Sequence, residues 1–274
     1  MIMLLLNLRR REAMQDKFFF KKRRNLFLIL LLIILIAYSA IDITQFSIGK
    51  MFSSIPRSII WSVTNFYPTS ASFSHLPDII NKMVQTIFMS IASVTFAAIF
   101  AFIFAICGSK TTRANAFIGT IARGIATLFR NIDVTVWSMI LLFSFGQNAL
   151  TGLFALFFGS FGFLTRAFIE TIDEVGENSV EALQATGASY SSVIVHSVIP
   201  SSIPQMVSWL LFMIENNIRS ATLIGILTGT GIGFAFDIQY KDLNYHVASL
   251  IVIVIVITIL LLEFISNYVR RVIL

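Results

Sequence analysis

Long apolar stretches with few charged residues alternate along the chain with polar segments. A helix needs about 20 apolar residues to cross the ~30 Å hydrocarbon core of a bilayer. Six stretches come close to that length or exceed it: residues 25–41, 84–109, 124–145, 149–169, 203–227 and 247–265. The pattern therefore predicts an all-α membrane protein with about six transmembrane helices.

The third and fourth stretches need a boundary, because residues 134–165 form one run of 32 uncharged residues. That run is too long for a single crossing. Gly146, Gln147 and Asn148 supply turn-forming residues near its middle. We expect the third helix to end and the fourth to begin there.

The composition agrees with a membrane protein and excludes several kinds of site. Hydrophobic residues make up 57% of the chain and charged residues 12%, against about 25% charged residues in an average soluble domain. Cys107 is the only cysteine, which excludes an intramolecular disulfide and a cysteine-based metal cluster. No G-x-x-x-x-G-K-S/T stretch occurs, so we expect no ATP site of that type in this chain.

The distribution of basic residues predicts the orientation. With the N-terminus inside, 14 Lys and Arg residues fall in cytoplasmic segments and four in outer loops, and such an excess is typical of the cytoplasmic side. We therefore expect both termini and residues 178–200 in the cytoplasm. The same excess accounts for the net charge of +6 without a nucleic-acid partner.

The N-terminal part allows alternatives. A basic cluster at 21–24 precedes the first apolar stretch, as in a cleaved signal peptide. No small-residue cleavage site follows, and Asp42 comes directly after the stretch, which favours a retained first helix. The outer connector 42–81, with three prolines and several aromatic residues, is either an amphipathic segment at the membrane interface or a loosely ordered connector.

Residues 181–200 form a polar segment that reads EALQATGASYSSVIVHSVIP. Acidic residues precede a short predicted helix and offset its dipole, with Ser179 placed to cap it. Gly187 permits a turn, and Pro200 marks the start of the fifth helix. An apolar patch suited to a groove on a partner is formed by Tyr190, Val193 and Ile194. From the residues alone, a plain helical hairpin explains the segment equally well.

This segment resembles the cytoplasmic loop of ABC-importer permeases, whose pattern is E-A-A, three residues, G, nine residues and I-x-L-P. The positions in register are Glu181, Ala182, Gly187 and Pro200, and the departures are Leu183, Ser197 and Ile199. The resemblance implies a short coupling helix that docks on an ATP-binding subunit, with Tyr190 among the contact residues.

Charged residues fall within the predicted helices, where a central charge costs at least ~2.5–3.5 kcal/mol. Those singled out are Arg130, Asp133, Glu215 and Arg219. Residues three or four apart share a helix face, so Arg130 is expected to pair with Asp133, and Glu215 with Arg219. Either these pairs only neutralise one another, or some members line the translocation path and meet a charged substrate. Arg219 is the better path candidate, because a guanidinium suits phosphate-like oxyanions.

Four glycines close the fifth apolar stretch within residues 225–233, IGILTGTGIGF being the local sequence from 224. The spacing is superficially that of a dinucleotide-binding loop, but no strand precedes it. The glycines therefore predict a tightly packed turn on the outer side.

Three stretches resemble the phosphonate-transport permease family: RNIDV at 130–134, EALQATGAS at 181–189 and ENNIRSATLIGILTGTGIGF at 215–234. The resemblance covers about residues 82–274, and Asp133 stands where a proline is common. It implies a type I ABC importer permease fold, with a permease domain at 82–269 that contains the coupling loop near 178–200. Residues 1–81 then hold a basic tail, the first transmembrane helix and the outer loop.

The implied function is that of a permease subunit of an ATP-driven importer in the bacterial inner membrane, for phosphonate or a related phosphorus oxyanion. The implied partners are an ABC ATP-binding subunit, a second permease copy or paralogue, an extracytoplasmic substrate-binding protein and membrane lipid. ATP and Mg would be bound by the ATPase subunits, and no catalytic residue, cofactor or metal is expected in this chain. One alternative is a permease for an amino acid such as methionine. From another class, an intramembrane enzyme is disfavoured, because H-E-x-x-H, paired catalytic aspartates and G-x-S-x-G are absent. A channel is disfavoured because it needs no docking loop.

Overall fold

The structure is a computed structural model that describes the backbone of residues 2–113, 115–185 and 188–273. Within these ranges, side chains are described from residue 22 onward, except at 48, 176–187 and 190. All regular elements there are helices, which confirms the predicted all-α class. The chain separates into two compact units, Met1–Val63 and Thr64–Leu274. The boundary expected near residue 81 stays a prediction.

The first unit contains helix α1, Ile2–Ile43, and nearly all of α2, Ile48–Asn65. The part Lys22–Ile43 of α1 is long and apolar enough to cross a membrane, in agreement with the first predicted helix. In α2, Phe52, Ile55 and Ile59 recur at helical spacing, and serines and a basic residue occupy positions between them. An ordered amphipathic helix is therefore present in the connector for which the sequence left two alternatives.

The second unit is a bundle of helices joined by short turns. A 3-10 turn at Ser70–His75 leads into α3, and the last element of the unit is the apolar helix α10. Their bounds are α3 Leu76–Gly108, α4 Ala116–Asn131, α5 Val134–Phe145, α6 Ala149–Ala185, α7 Tyr190–Val193, a π-helical turn Ile194–Val198, α8 Ile199–Thr228, α9 Gly231–Lys241 and α10 Tyr245–Ile273.

Five helical segments in the described ranges are long and apolar enough to cross a membrane: Lys22–Ile43, Ser70–Gly108, Ala149–Val175, Ser191–Thr228 and Tyr245–Ile273. They become six if α4 and α5, which form a bent pair, make one crossing together. The prediction of about six transmembrane helices is thus confirmed.

The prediction of one continuous third helix over residues 124–145 is wrong. Helix α4 ends at Asn131, α5 begins at Val134, and the two meet at 90°. Ile132 is extended, and the Asp133 carboxylate caps α5 by accepting a hydrogen bond of 2.8 Å from the amide of Thr135. Hydropathy did not reveal the break, because a single capping residue changes the helix direction without ending the apolar stretch.

This α4–α5 corner, residues 131–134, is packed against two glycines of α6. A Cβ atom on Gly162 would lie 2.4 Å from the backbone nitrogen of Arg130, and one on Gly159 would lie 2.4 Å from a methyl carbon of Val134. Only a residue without a side chain permits this approach. Small residues on α6 therefore determine where the broken helix lies.

The core of the bundle is formed by α3, α6 and α8. Along α3, Ala97, Ala101 and Ala105 are fully buried at intervals of one helical turn. They face larger α6 side chains such as Leu164 and Phe168 in the same cluster. Small residues at helix interfaces let backbones approach closely, and this contact is the main source of helix association inside a membrane.

Candidate functional site

The coupling segment, residues 181–200, begins inside α6. Glu181 and Ala182 lie in the last turns of this helix, which runs unbroken to Ala185. Ser179 is therefore an interior residue, and its expected role as the cap of a separate short helix is wrong. Residues 170–185 contain no proline, so the helix that crosses the membrane continues beyond the apolar stretch.

The second half of the coupling segment joins α6 to α8. Gly187 lies outside the described residues, so its turn stays a prediction. Tyr190 begins α7, which passes directly into the π-helical turn and then into α8. Pro200 is exposed in the first turn of α8. The predicted start of the fifth helix at Pro200 is wrong, because α7, the π-helical turn and α8 form one continuous helical segment from Tyr190 onward. The docking roles of Glu181, Ala182, Gly187, Tyr190 and Pro200 stay predictions.

The prediction of an exposed apolar patch on the coupling segment is wrong for Val193. Val193 is only 3% exposed and belongs to the core formed with α3, α6 and α8. Ile194 is half-buried, whereas Val195 has 55% of its surface exposed. The periodicity of the segment identifies apolar positions, but only the packing of α7 against α6 decides which of them face inward.

Asp173 joins the stretch of α6 before the coupling segment to the loop after α3. Its Oδ1 atom accepts hydrogen bonds from the Ser109 hydroxyl (2.5 Å), from the amides of Lys110 (2.8 Å) and Thr111 (3.2 Å), and from the Thr111 hydroxyl (3.3 Å). The Ser109 hydroxyl oxygen in turn accepts from the amide of Thr112 at 3.3 Å. One carboxylate thus fixes α6 to the end of α3. The sequence had placed Asp173 only among the acidic residues before the coupling segment.

Glu215 and Arg219 form the ion pair predicted from their spacing on α8. The structure adds a third member, since a terminal guanidinium nitrogen of Arg270 on α10 lies 3.5 Å from Glu215 Oε2. The Glu215 side chain is 12% exposed, whereas those of Arg219 and Arg270 are 50% and 27% exposed. This arginine–glutamate cluster carries one more positive than negative charge. The sequence analysis had counted Arg270 as a cytoplasmic residue and assigned it no contact.

Arg130 and Asp133 do not form the expected ion pair in the described part of the chain. The helix breaks between them, so the three-residue spacing no longer places them on one face. Both residues are exposed, and Asp133 caps α5 instead. Their roles in a translocation path stay predictions.

Asn217 provides a polar contact between three helices. Its Nδ2 atom donates to Ser160 Oγ on α6 at 2.7 Å and to Ser93 Oγ on α3 at 3.3 Å, and all three residues are buried. The neighbouring Asn216 on α8 is exposed, whereas Asn217 is buried. The sequence analysis did not single out Asn217, although a polar residue within an apolar stretch was a signal for it.

The predicted turn after α8 is confirmed, and it leads into a helix that the sequence analysis missed. Gly229 and Gly231 have φ angles of +69° and +64°, which a residue with a side chain rarely adopts. The amide of Ile232 donates to Thr86 Oγ1 at 2.9 Å, which attaches the start of α9 to α3. A Cβ atom on Gly233 would overlap the carbonyl oxygen of Thr222, so α9 packs tightly against the end of α8.

Long apolar helices packed around an apolar core, with a helical segment between α6 and α8, define a helical membrane protein. Residues 97–273 match the family described as binding-protein-dependent transport system inner membrane component. The chain belongs to this family. It is the permease component of an ABC importer and lies in the inner membrane.

Several relatives are named for phosphorus oxyanions. The chain is 29% identical over 199 residues to the phosphite transport system permease protein PtxC of Stutzerimonas stutzeri, covering 73% of this chain and 72% of that protein. It is 27% identical over 191 residues to the phosphate-import permease protein PhnE of Mycolicibacterium smegmatis, covering 70% and 36%. A methionine import system permease protein, MetP of Bacillus subtilis, is 26% identical over 169 residues, covering 58% and 75%.

Solved structures share the fold. An amino acid ABC transporter crystallised with histidines has a TM-score of 0.63 at 16% identity, covering 72% of this chain and 95% of that chain. The methionine ABC transporter MetNI in an inward-facing form has a TM-score of 0.56 at 17% identity, covering 72% and 98%. These similarities confirm the type I importer permease fold.

Proposed function

We propose that this permease carries phosphite, phosphonate or a closely related phosphorus oxyanion. The observation that carries the proposal is the naming of its relatives. Those that match 70–85% of the chain are named for phosphite or phosphate transport, whereas the methionine permease matches 58% of it. The same relatives support the oxyanion class over an amino acid.

The net charge of the arginine–glutamate cluster supports an anionic substrate. The arginine–glutamate cluster of Glu215, Arg219 and Arg270 has an excess of one positive charge. An excess guanidinium within a membrane-spanning bundle is costly unless water or an anion compensates it. Guanidinium groups also match the geometry of phosphorus oxyanions. A methionine zwitterion would need no such excess.

The assembly that we propose follows from the family. A substrate-binding protein delivers the anion from outside, and a second permease copy or a paralogue completes the path. Two ATP-binding subunits, which hold ATP and Mg, contact the coupling segment at Glu181, Ala182, Tyr190 and Pro200. Closure of these subunits on ATP then moves α6 and α8, to which the coupling segment is joined, and alternates access to the path.

This assembly needs the coupling segment and both termini on the cytoplasmic side, as the basic residues favour. Cysteines at Ser189 and Ser74, both exposed, test the orientation in a Cys107→Ser background. A membrane-impermeant thiol reagent applied to intact cells should label the Ser74→Cys protein and leave the Ser189→Cys protein unlabelled until the membrane is opened. The reverse pattern would refute the orientation.

Uptake tests the substrate class. The permease is co-expressed with its ATPase and binding protein in cells that lack other routes for phosphite and phosphonate. Uptake of radiolabelled phosphate, phosphite and methylphosphonate is then compared with uptake of methionine. We expect ATP-dependent uptake of at least one phosphorus oxyanion and none of methionine, with an ATPase-inactive complex as the control. Uptake of methionine alone would refute the proposal.

A further inference from the structure

The Glu215 carboxylate is shared by two arginines that come from different helices. Arg219 follows Glu215 by one turn of α8 and pairs with its Oε1 atom. Arg270 reaches Oε2 from the last turn of α10 through its Nη2 atom, at 3.5 Å. The same Nη2 atom donates a hydrogen bond to the Ser266 hydroxyl at 2.8 Å. The carboxylate therefore occupies the space between two guanidinium groups.

The hydrogen-bonding capacity of these arginines is only partly used. The Nε atom of Arg270 is buried and has no hydrogen-bond partner among the described residues. A buried donor without a partner carries the full cost of its desolvation. Arg219 has half of its side chain exposed, and its contact in the cluster is made by one terminal nitrogen. A guanidinium has five donors in a planar fork, so one carboxylate leaves most of the ten unused.

A tetrahedral oxyanion would satisfy more of these donors than Glu215 does. Phosphorus oxyanions present several oxygens, and bidentate guanidinium contacts to such oxygens are among the strongest hydrogen bonds in proteins. The Glu215 carboxylate contacts both arginines, Arg219 through Oε1 and Arg270 through Oε2.

We infer that Arg219 and Arg270 together form a phosphorus-oxyanion site on the translocation path, and that Glu215 is its internal competitor. When no oxyanion is present, Glu215 neutralises one arginine and steadies the other. An arriving oxyanion takes its place between the two guanidinium groups. This inference rests on the proposed function, since it names the residues that bind the proposed substrate.

The inference predicts opposite effects for the carboxylate and the arginines. Glu215→Gln removes the competing carboxylate, so the Kd for phosphite should fall about tenfold. In Arg270→Gln, half of the site is lost and binding should fall by a similar factor or more. Arg271→Gln removes the neighbouring exposed arginine and is the matched control, expected to bind as the wild-type protein does.

Binding is measured on the purified permease–ATPase complex, without the binding protein, as the rise in melting temperature on titration with phosphite. A ligand that binds only the folded state raises stability according to its concentration relative to Kd. Sodium chloride at the same ionic strength controls for general salt effects. ATP-driven uptake of phosphite is measured on the same variants.

The double variant Glu215→Gln with Arg270→Gln keeps the test valid if Arg270→Gln alone leaves an unpaired carboxylate and does not fold. It has the same net charge in the cluster as the wild-type protein, because one positive and one negative charge are removed together. We expect it to fold and to bind phosphite weakly. Phosphite binding equal to that of the wild-type protein would show that net charge, and not the arginine pair, attracts the anion, and would overturn the inference.

Other outcomes separate the two proposals. If the wild-type transporter takes up phosphite while Arg270→Gln binds it as Arg271→Gln does, the two-arginine site is refuted and the proposed function stands. If Glu215→Gln binds phosphite more weakly than the wild-type protein, Glu215 orients the arginines and the competitor role is refuted. If the wild-type transporter takes up methionine and no phosphorus oxyanion, the proposed function itself has failed.

Discussion

Helices α6 and α8 each pass through two different surroundings. In the interior of the bundle they contact α3 through buried small residues and through the Asn217 node, where one amide joins three helices. At the other end they lead into the coupling segment, where Pro200 and Val195 are exposed. The interior is held by contacts within the chain, whereas the coupling segment presents exposed groups that are available to another subunit.

This difference separates two reasons for which a residue is needed. An interior residue such as Gly162 is needed because a neighbouring backbone leaves no room for a side chain. A residue of the coupling segment is needed for a surface that a partner binds. Substitutions in the two regions should therefore differ in whether stability or coupling is lost first. Asp173 lies between the regions and should affect both.

Gly162→Val is the change with the largest expected effect on stability. Its Cβ would lie 2.4 Å from the backbone nitrogen of Arg130, and backbone cannot move aside as a flexible side chain does. We expect a loss of about 3 kcal/mol or more, at the upper end of overpacking effects. Thermal unfolding in detergent measures it. Gly124→Val, on α4 with no atom within 4 Å of its Cβ, is the matched control, and equal losses in both would contradict the packing of the corner.

Asp173→Asn comes next, because it removes the charge from the acceptor of four hydrogen bonds. The side-chain oxygen remains, but hydrogen bonds to a charged group contribute about 1.5–3 kcal/mol. We expect a loss of stability in that range, together with weaker stimulation of the ATPase by substrate. The control is Glu174→Gln, the neighbouring acidic residue, which is exposed. If Asp173→Asn behaved as Glu174→Gln does in both measurements, the link between α3 and α6 would be unimportant.

Asn217→Ala has a smaller expected effect. It leaves the hydroxyls of Ser93 and Ser160 without their partner, and interhelical hydrogen bonds in membrane proteins contribute about 0.6 kcal/mol on average and up to about 1.7 kcal/mol. Asn216→Ala, an exposed residue of the same type, is the control. Thermal unfolding of the two variants should differ by that amount, and an Asn216→Ala protein that is the less stable of the two would contradict the node.

Gly187→Val should have the smallest effect on stability but should abolish coupling to the ATPase. The protein should insert and unfold at the temperature of the wild-type protein, but it should no longer co-purify with its ATPase. Affinity purification through the permease, followed by quantification of the bound ATPase, gives the result. Normal co-purification and transport in this variant would refute docking through the coupling segment.

The sequence was informative where a property depends on neighbours along the chain. The apolar stretches predicted the helices, because crossing a membrane requires a minimum apolar length. The fixed spacing of Glu181, Ala182, Gly187 and Pro200 predicted the family, which residues 97–273 confirm. The four-residue spacing of Glu215 and Arg219 predicted their ion pair.

The remaining features depend on residues distant in the chain. The α4–α5 corner at Asp133 can pack against α6 only because α6 has glycines there. Val193 was predicted to lie in a docking patch, but α7 buries it against α6. Arg270 and Glu215 are 55 positions apart, and no local pattern brings them together. The sequence alone determined the class of the protein and the lengths of its helices, since both follow from local hydropathy and spacing. Only the tertiary structure decided which charges meet and which faces are buried, because those depend on how closely the helices pack.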